Sequence, residues 1–522
     1  MIKNIKYLAV LALGLVACEP EFDNPIDESG IYTSGEADFS NYVALGNSLT
    51  AGFADGALYI TGQENSYPNI LSQQFALAGG GEFTQPLMAD NAGGALLGGT
   101  QILDNRFVLA FDAQGNAAPA IYTGAAPTTE ISNSLGSSFN NMGVPGAKSF
   151  HLTAPGYGNI AGIATGQANP YFARFASAAD ATVIGDAVAQ DPTFFSLWIG
   201  NNDILSYATS GGVGEDHNVT GNVDPTTYGG NDITNNNVFA SVYSTMIAGL
   251  TANGAKGVVL NLPDVTSIPF FTTVPNNALV LDAATAGSLT GFFQAVTGIV
   301  TAQLAGAGVP LAQAQQIASQ YLIQFNEGAN LFLLKTEVTT TNPLGFRQMT
   351  ADELLLLTID SGALAQGYGS VVLTPEVLQI LGILQAGGTP TPEQGAAVIN
   401  AISAIEDGDV LDSDELAAIA TARSAYNATV RGLATANGLA FYDAARDLAT
   451  VANGGIAFDG GIVTSDFVTG GGFSLDGVHP TPRGHAIITN GILKQIESTY
   501  GANLPVVNPG DYGTITLDND VN

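Results

Sequence analysis

The chain alternates short, uninterrupted apolar runs with longer stretches of helical periodicity, and this alternation limits its possible folds most. Four of the runs have the length of buried strands, and they lie at 42–46, 194–199, 257–262 and 439–442. Strands that alternate with helices favour a parallel sheet covered by helices on both faces. The sequence therefore predicts an α/β protein.

The helices between these runs can be bounded from the sequence in two places. Apolar residues at helical spacing predict one helix over 239–250 and another over 416–433. An Asn-Gly pair, which is a stop signal, follows each of them, and Asp412 or Ser413 begins the second helix. We interpret the acidic stretch around Asp412 as this helix start, because it does not keep the spacing of a calcium-binding loop.

Composition and charge exclude one class of partner. Of the 522 residues, 46% are apolar and 11% are charged, which is typical of a folded chain of up to about three domains. The net charge of −33 repels a phosphate backbone, so we expect no nucleic acid partner. The same charge is also consistent with a purely solubilising role.

The N-terminus has the pattern of a secretory signal. Lys3 and Lys6 precede an apolar run at 7–17, which is too short to span a bilayer. Cys18, the only cysteine, follows in a Leu-Val-Ala-Cys sequence that resembles the lipobox of bacterial lipoproteins. The resemblance implies a lipid anchor on Cys18 and a place in the bacterial cell envelope, at the outer membrane. A buried structural cysteine is the alternative.

We divide the chain into a signal peptide, a flexible tether, a core in two parts, an insertion between these parts and a C-terminal tail. The signal peptide is predicted at 1–17 and the tether at 18–40. The core covers 41–272 and 421–500, the insertion between its two parts covers 273–420, and the tail covers 501–522. The insertion is apolar and Ala-rich, and we expect it to be helical without a clear strand. Its predicted helical stretches lie at 279–305, 311–326, 374–386 and 391–405. Residues 79–140 are rich in Gly, Ala and Asn and predict irregular loop with a small hairpin.

Histidine is scarce, which narrows the search for a general base. His217 lies in a polar loop and is expected to be solvated, and His485 is expected to cap a helix or to be solvated. His151 follows a Gly-rich turn and gives no further signal. His479 stands three residues after Asp476 in a turn, so their side chains can meet, although this pattern alone often arises by chance.

Ser48 directly follows the first strand-like run, at the point where the strand should end. Its side chain can cap the next helix, or it can be a nucleophile at the carboxyl end of a strand, where open α/β sheets bind ligands. A serine nucleophile needs a base that removes its proton and a carboxylate that orients the base. Asp476 and His479 offer both from one short loop.

Two further stretches offer donors for an oxyanion. Gly-Asn-Asn-Asp at 200–203 ends the second strand-like run, and an amide side chain there can donate to a developing oxyanion. An Asx turn that closes the strand is the alternative. Gly143 and Gly146 bracket a proline, and such glycines let the backbone approach a ligand with free N–H groups. The residues that follow lack the order of a phosphate-binding P-loop.

Together these stretches resemble the four blocks of the GDSL or SGNH hydrolase family, which carry Ser, Gly, Asn and His in that order. The matching residues are Ser48 in G-N-S-L, Gly146 in V-P-G-A, Asn202 in G-N-N-D and His479 in D-G-V-H-P. The resemblance covers roughly 41–272 and 421–498 and leaves out the insertion. No G-x-S-x-G sequence occurs, which removes the α/β-hydrolase elbow as a competitor.

This resemblance implies a three-layer α/β/α sandwich with a flavodoxin-like parallel sheet, and ester hydrolysis without a cofactor or a metal. The implied triad is Ser48, Asp476 and His479, and the implied oxyanion hole is formed by the N–H groups of Ser48 and Gly146 and the side chain of Asn202. The family's usual Asp before the serine is Asn47 in this chain. That position is not a triad member, so we expect activity to survive.

We therefore expect a lipid-anchored serine esterase or lipase that acts on a small-molecule or lipid ester, and the oligomeric state stays open. A polysaccharide O-deacetylase of the same fold and a non-catalytic ligand-binding lipoprotein are the alternatives. The insertion can act as a lid with an acyl-binding surface, or it can pack a small core of its own. The residues of that surface are Phe292, Phe293, Val296 and Ile299.

Overall fold

A computed structural model of the protein describes residues 31–111, 115, 117–136, 138–517 and 521. The predicted signal peptide at 1–17 and the predicted lipidation site Cys18 lie outside the described residues.

The centre of the molecule is a sheet of five parallel strands. In chain order they are β1 (Tyr42–Gly46), β2 (Asn141–Gly143), β3 (Phe194–Trp198), β4 (Lys256–Leu260) and β5 (Ala440–Tyr442). Their spatial order is 2-1-3-4-5, and every neighbouring pair is parallel. The predicted parallel α/β sheet is thus confirmed. The chain passes from β1 to β2 on one side and then returns to place β3, β4 and β5 on the other side, so the direction of the strand order reverses between β1 and β3. Open sheets bind ligands outside the carboxyl ends of the strands at such a point.

Helices cover both faces of this sheet. The helices of this part of the chain are α1 (Ser48–Ala51), α2 (Tyr67–Ala76), α3 (Val183–Val188), α4 (Asn202–Thr209), α5 (Asn236–Thr251), α6 (Ser413–Ala436), α7 (Ala444–Ala452) and α8 (Pro482–Tyr500). Shorter helices lie at Ile60–Glu64, His217–Thr220 and Pro269–Thr272. α5 and α6 are the two helices that apolar spacing predicts.

Alternate residues of β1 face opposite sides of the sheet. Val43 and Leu45 belong to one buried apolar cluster, to which α3, α5 and α6 contribute. Tyr42 and Ala44 belong to a second cluster, which α2 and α8 complete. All residues of β1 are buried, as is usual for a parallel strand that is covered on both faces. The core therefore consists of two apolar layers on either side of the sheet.

The insertion ends earlier than predicted. The Asp412 side chain accepts hydrogen bonds from the N–H groups of Asp414 and Glu415, and Glu415 reaches back to the N–H of Asp412. This capping box begins α6 at Ser413, so the predicted boundary at residue 420 falls inside one continuous helix. Since Ile419 is buried in the first apolar cluster, the start of α6 belongs to the core.

The insertion folds around clusters of its own. Its helices are Ala283–Gly306, Leu311–Ala318, Ser361–Ala365, Pro375–Gln385 and Pro392–Ile399. The expectation of no strands is wrong, because short antiparallel pairs connect the helices. These strands are Leu279–Leu281, Gly328–Asn330, Leu333–Lys335, Phe346–Gln348, Leu354–Leu355, Ser370–Val371, Ile402–Ser403 and Val410–Leu411. Strands of two or three residues carry too little periodicity to be predicted.

The expected apolar surface of the insertion is a core instead. Phe292, Phe293 and Val296 are fully buried among side chains of the insertion itself. These residues lie on the helix Ala283–Gly306. Of the described helices, it is the one whose length and apolar composition would be enough to cross a membrane. Its buried face is typical of the central helix of a globular unit.

Residues 79–140 form two hairpins instead of one. The strands of the first are Gly93–Leu97 and Thr100–Asn105, and those of the second are Phe107–Phe111 and Ala117–Ile121. A third hairpin, Ile456–Phe458 with Gly461–Val463, follows α7.

The ends of the described chain pack on the core. Thr33 and Asn503 exchange backbone hydrogen bonds of 3.0 and 2.8 Å. Phe39 is buried and stacks on Phe75 with ring centroids 4.0 Å apart. The described part of the predicted tether, residues 31–40, is therefore part of the folded body, and so is the start of the predicted tail.

Candidate active site

Ser48 begins α1 directly beyond the carboxyl end of β1. The Oδ1 atom of Asn47 accepts the N–H of Leu49 at 3.1 Å, so Asn47 rather than Ser48 caps the helix. A Cβ on Gly46 would lie 2.1 Å from Oγ1 of Thr50, so this tight turn needs glycine. The cap that the Ser48 side chain could have provided is thus provided by its neighbour, and its hydroxyl is available for another contact.

The Ser48 hydroxyl, the His479 ring and the Asp476 carboxylate form one hydrogen-bonded row. Nε2 of His479 lies 2.8 Å from Oγ of Ser48, and Nδ1 lies 2.8 Å from Oδ2 of Asp476. A carboxylate can only accept, so Nδ1 carries the proton and Nε2 is free to accept the Ser48 hydroxyl proton. The Phe53 ring packs beside the imidazole with centroids 4.8 Å apart. The row can therefore activate the hydroxyl.

Asp476 is held in its ionised form. Burial works to raise the pKa of Asp476, but the His479 ring and hydrogen bonds from His479 and Val478 outweigh it and lower this pKa to about 2. Oδ1 accepts the N–H groups of Val478 and His479, each at 2.9 Å. These bonds fix the turn that carries both members of the pair.

A second layer of hydrogen bonds joins this turn to the loop after α1. The Asp476 carboxylate accepts the N–H of Gly56 at 2.9 Å and the hydroxyl of Ser474 at 3.0 Å. Oγ of Ser474 in turn accepts the N–H of Asp55, and Oδ1 of Asp55 accepts the N–H of Leu475, both at 2.9 Å. The turn that carries Asp476 and His479 is thus tied to the segment that follows Ser48.

Asp55 is itself anchored by a buried ion pair. A guanidinium nitrogen of Arg106 lies 2.5 Å from Oδ2 of Asp55, and each side chain is 3% exposed. The Tyr59 hydroxyl donates to the same carboxylate at 2.8 Å, and its ring lies 3.7 Å below the guanidinium. No local sequence pattern indicates the contact between Asp55 and Arg106, because the two residues are 51 positions apart in the chain.

Gly146 offers a backbone N–H beside the end of β1. Its φ of +80° is in the left-handed region, which requires glycine. The N–H of Val144 in the same loop donates to the carbonyl of Gly46 at 3.0 Å, which fixes this loop against the strand. Within the described part of the chain, the N–H groups of Gly146 and Ser48 meet no acceptor. Both are free to donate to a ligand oxygen.

Asn202 begins α4 beyond the carboxyl end of β3. Its side-chain nitrogen donates one hydrogen to the carbonyl of Ala147 at 2.9 Å, which places the amide against the Gly146 loop and leaves its second hydrogen free. The buried Asp203 accepts the N–H and the hydroxyl of Ser149 at 2.8 and 2.6 Å. The loop after β2 and the start of α4 are therefore held together.

A cavity opens at this site. Its space, which includes the open solvent at its mouth, measures about 880 Å³, and Ser48, Asn202 and His479 line it. Most of the remaining wall is apolar. Part of it comes from α7, the hairpin after it and α8, and the rest comes from the loop after β4, the segment 472–480 and the residues around β1 and β3. None of the described residues of the insertion lines the cavity. Of the two alternatives for Phe292 and Phe293, the structure therefore supports a core of the insertion and not an acyl-binding surface.

The insertion reaches the turn of Asp476 and His479 at one edge. The N–H of Leu357 donates to the carbonyl of Phe270 at 2.8 Å, and the N–H of Phe270 donates to the carbonyl of Gly477 at 2.9 Å. This chain of backbone bonds connects the insertion with the turn that carries Asp476 and His479. The insertion therefore braces this turn.

His217 and His485 are not solvated, contrary to expectation. His217 is 2% exposed and makes a 2.8 Å contact with Asp232. His485 is also 2% exposed, and its Nδ1 accepts the N–H of Tyr67 at 3.3 Å. Burial lowers the pKa of His485 to about 3, so it stays neutral. Both rings fill interior positions, and neither contacts Ser48.

His151 also packs outside the row. Its Nδ1 accepts the N–H of Lys148 at 3.0 Å, and its ring stacks on Tyr157. Burial and the nearby Lys148 lower the pKa of His151 to about 4.

No group of three or more His, Cys, Asp or Glu side chains in the described part of the chain could hold a metal ion. Comparisons of the chain with protein-family models, with curated proteins and with solved structures gave no match.

Proposed function

We propose that the protein is a serine hydrolase with the GDSL/SGNH fold that cleaves carboxylic esters through an acyl-enzyme on Ser48. The observation that carries this proposal is the row from Ser48 through His479 to Asp476, with both contacts at 2.8 Å. The position of Ser48 at the carboxyl end of β1, beside the reversal of strand order, supports it as well.

The first half of the reaction would form the acyl-enzyme. His479 takes the hydroxyl proton as Oγ of Ser48 attacks the carbonyl carbon of the ester, and Asp476 stabilises the resulting imidazolium. The oxyanion accepts hydrogen bonds from the N–H groups of Ser48 and Gly146 and from the free amide hydrogen of Asn202. His479 then gives the proton to the leaving alcohol.

The second half would release the acid. A water molecule attacks the acyl carbon, His479 takes its proton, and the same donors stabilise the second oxyanion. Proton transfer back to Oγ of Ser48 restores the enzyme. These steps use residues of this chain and water, so the proposed reaction needs no cofactor.

Hydrolysis of p-nitrophenyl acetate tests this function. Ser48→Ala should lower kcat by a factor of about 10⁴ or more, as removal of a nucleophile does in other serine hydrolases. Ser72→Ala is the matched control, because Ser72 is also a buried helix serine but bonds only the carbonyl of Asn69. Equal activity of the wild type and Ser48→Ala would refute the proposal.

We also propose that Cys18 carries a lipid that holds the enzyme at the outer membrane of a bacterial envelope. The lipobox-like sequence and the position of Cys18 directly after the apolar run at 7–17 support this. Cys18→Ser should move the protein from the membrane fraction to the soluble fraction and abolish labelling by a fatty-acid analogue. Unchanged membrane association would contradict it.

A further inference from the structure

The cavity at Ser48 has walls that suit a hydrocarbon chain. Leu448 and Val451 line it from α7, Val463 from the following hairpin and Ile488 from α8. Leu448 and Ile488 are only half-buried, because they face the empty space. Apolar surface that faces a water-filled cavity is unfavourable, and an apolar ligand would relieve this cost.

The cavity begins at the reacting atoms. Ser48, Asn202 and His479 line the same space as these apolar side chains. An acyl group bound through its carbonyl carbon to Oγ of Ser48 can therefore extend its alkyl chain between α7 and α8.

One part of the cavity wall separates it from a second cleft. Tyr442, Asp447, Ile456 and Ile487 line both spaces, so they stand between them. The Tyr442 hydroxyl donates to the Asp447 carboxylate at 2.8 Å. An alkyl chain that reached this pair would displace water from a carboxylate, which is costly.

From this arrangement we infer that the cavity is an acyl pocket that selects esters of straight-chain fatty acids and limits their length. The inference rests on the proposed function and names the substrate class of that site. Ile456 and Ile487, which stand between the cavity and the second cleft, are the specificity-determining residues. The leaving alcohol stays on the side of the open mouth, where its size is not limited by these walls.

The pocket predicts a peaked dependence on chain length. For p-nitrophenyl esters from acetate to palmitate, each added methylene should raise kcat/KM by up to about fourfold while it is buried between α7 and α8. Beyond the length that meets Asp447 and Tyr442, kcat/KM should fall.

Two substitutions should move this peak in opposite directions. Leu448→Trp fills the pocket and should lower the ratio of kcat/KM for decanoate to that for butyrate by about tenfold or more. Ile487→Ala opens the wall between the cavity and the second cleft. It should raise the ratio of kcat/KM for palmitate to that for decanoate by a similar factor. Each ratio is measured on one preparation, so the fraction of folded enzyme cancels.

Leu378→Trp is the matched control. Leu378 also lies on a helix, Pro375–Gln385, but its side chain is 48% exposed on the insertion, outside the cavity. This variant should leave both ratios as they are in the wild type.

Failure of the inference can be distinguished from failure of the proposed function. A preference for acetate, or a profile that Leu448→Trp and Ile487→Ala do not change, would overturn the acyl pocket while acetate hydrolysis by Ser48 still stands. If no ester is hydrolysed and a fluorophosphonate does not modify Ser48, the proposed function fails and the acyl pocket fails with it.

Discussion

Arg106 and Asp55 form a buried ion pair at 2.5 Å, and through Asp55 this pair holds the turn that carries Asp476 and His479. Removing one partner leaves an uncompensated buried charge, so Asp55→Ala should lower the free energy of unfolding by about 3–5 kcal/mol. Urea denaturation measures this loss.

The double variant Asp55→Ala/Arg106→Met is the control for this prediction. The double variant removes both charges. Its loss of unfolding free energy should therefore be clearly smaller than the sum of the losses in Asp55→Ala and in Arg106→Met. Strict additivity of the two single losses would show that the pair contributes no coupling.

Asn202 should act on the transition state. Asn202→Ala removes one oxyanion donor, so kcat should fall by about 10²–10³ while KM changes little. Steady-state kinetics with p-nitrophenyl acetate measures both constants. Asn201→Ala should cost much less, because the side chain of Asn201 has no described hydrogen bond to the Gly146 loop. A change confined to KM would assign Asn202 to substrate binding instead.

The sequence was sufficient to predict four of the five strands of the central sheet and the grouping of Ser48, His479 and Asp476. Strands β1, β3, β4 and β5 are apolar runs of ordinary length, and Ser48 lies directly beyond the first. Strand β2 was not predicted, because its three residues, Asn141–Gly143, stand in a Gly- and Asn-rich stretch and become a strand only by pairing with β1.

Long-range relationships could not be predicted from local patterns. Asp55 contacts Arg106, which lies between the first two hairpins, and Leu475, which precedes Asp476. No periodicity in the sequence links these positions. The burial of Phe292 and Phe293 depends on partners elsewhere in the insertion, so their apolarity alone did not distinguish a surface from a core. The cavity is lined by residues from segments far apart in the chain, among them α7, α8 and a hairpin, and only the fold brings these segments together.

His485 should make stability depend on pH. Its pKa is about 3 in the folded protein, well below the ordinary value near 6.5, so the unfolded chain takes up a proton that the folded chain refuses. The stability that this group contributes is fully present above about pH 6.5 and is lost as the pH falls toward about 3. Between about pH 7 and pH 5 the loss should amount to about 2 kcal/mol.

His485→Gln should remove this part of the pH dependence. The free energy of unfolding of the variant, measured by urea denaturation at both pH values, should change by about 2 kcal/mol less than that of the wild type. The same pH dependence in both proteins would mean that His485 is protonated in the folded state.

The core of the insertion should support stability without touching substrate selection. Phe292→Ala leaves a cavity in that core and should lower the free energy of unfolding by about 3–5 kcal/mol. The ratio of kcat/KM for decanoate to butyrate should equal that of the wild type. A flattened chain-length profile would return the insertion to the acyl-binding role.

Covalent labelling tests directly whether Ser48 is the nucleophile. A fluorophosphonate should add to the wild-type protein once, and peptide mapping should find the adduct on Ser48. His479→Ala should slow this labelling by about 10³-fold or more, because the hydroxyl then lacks its base. We expect one labelled serine, at position 48, and its reaction should depend on His479. An adduct on another serine, or no adduct at all, would contradict it.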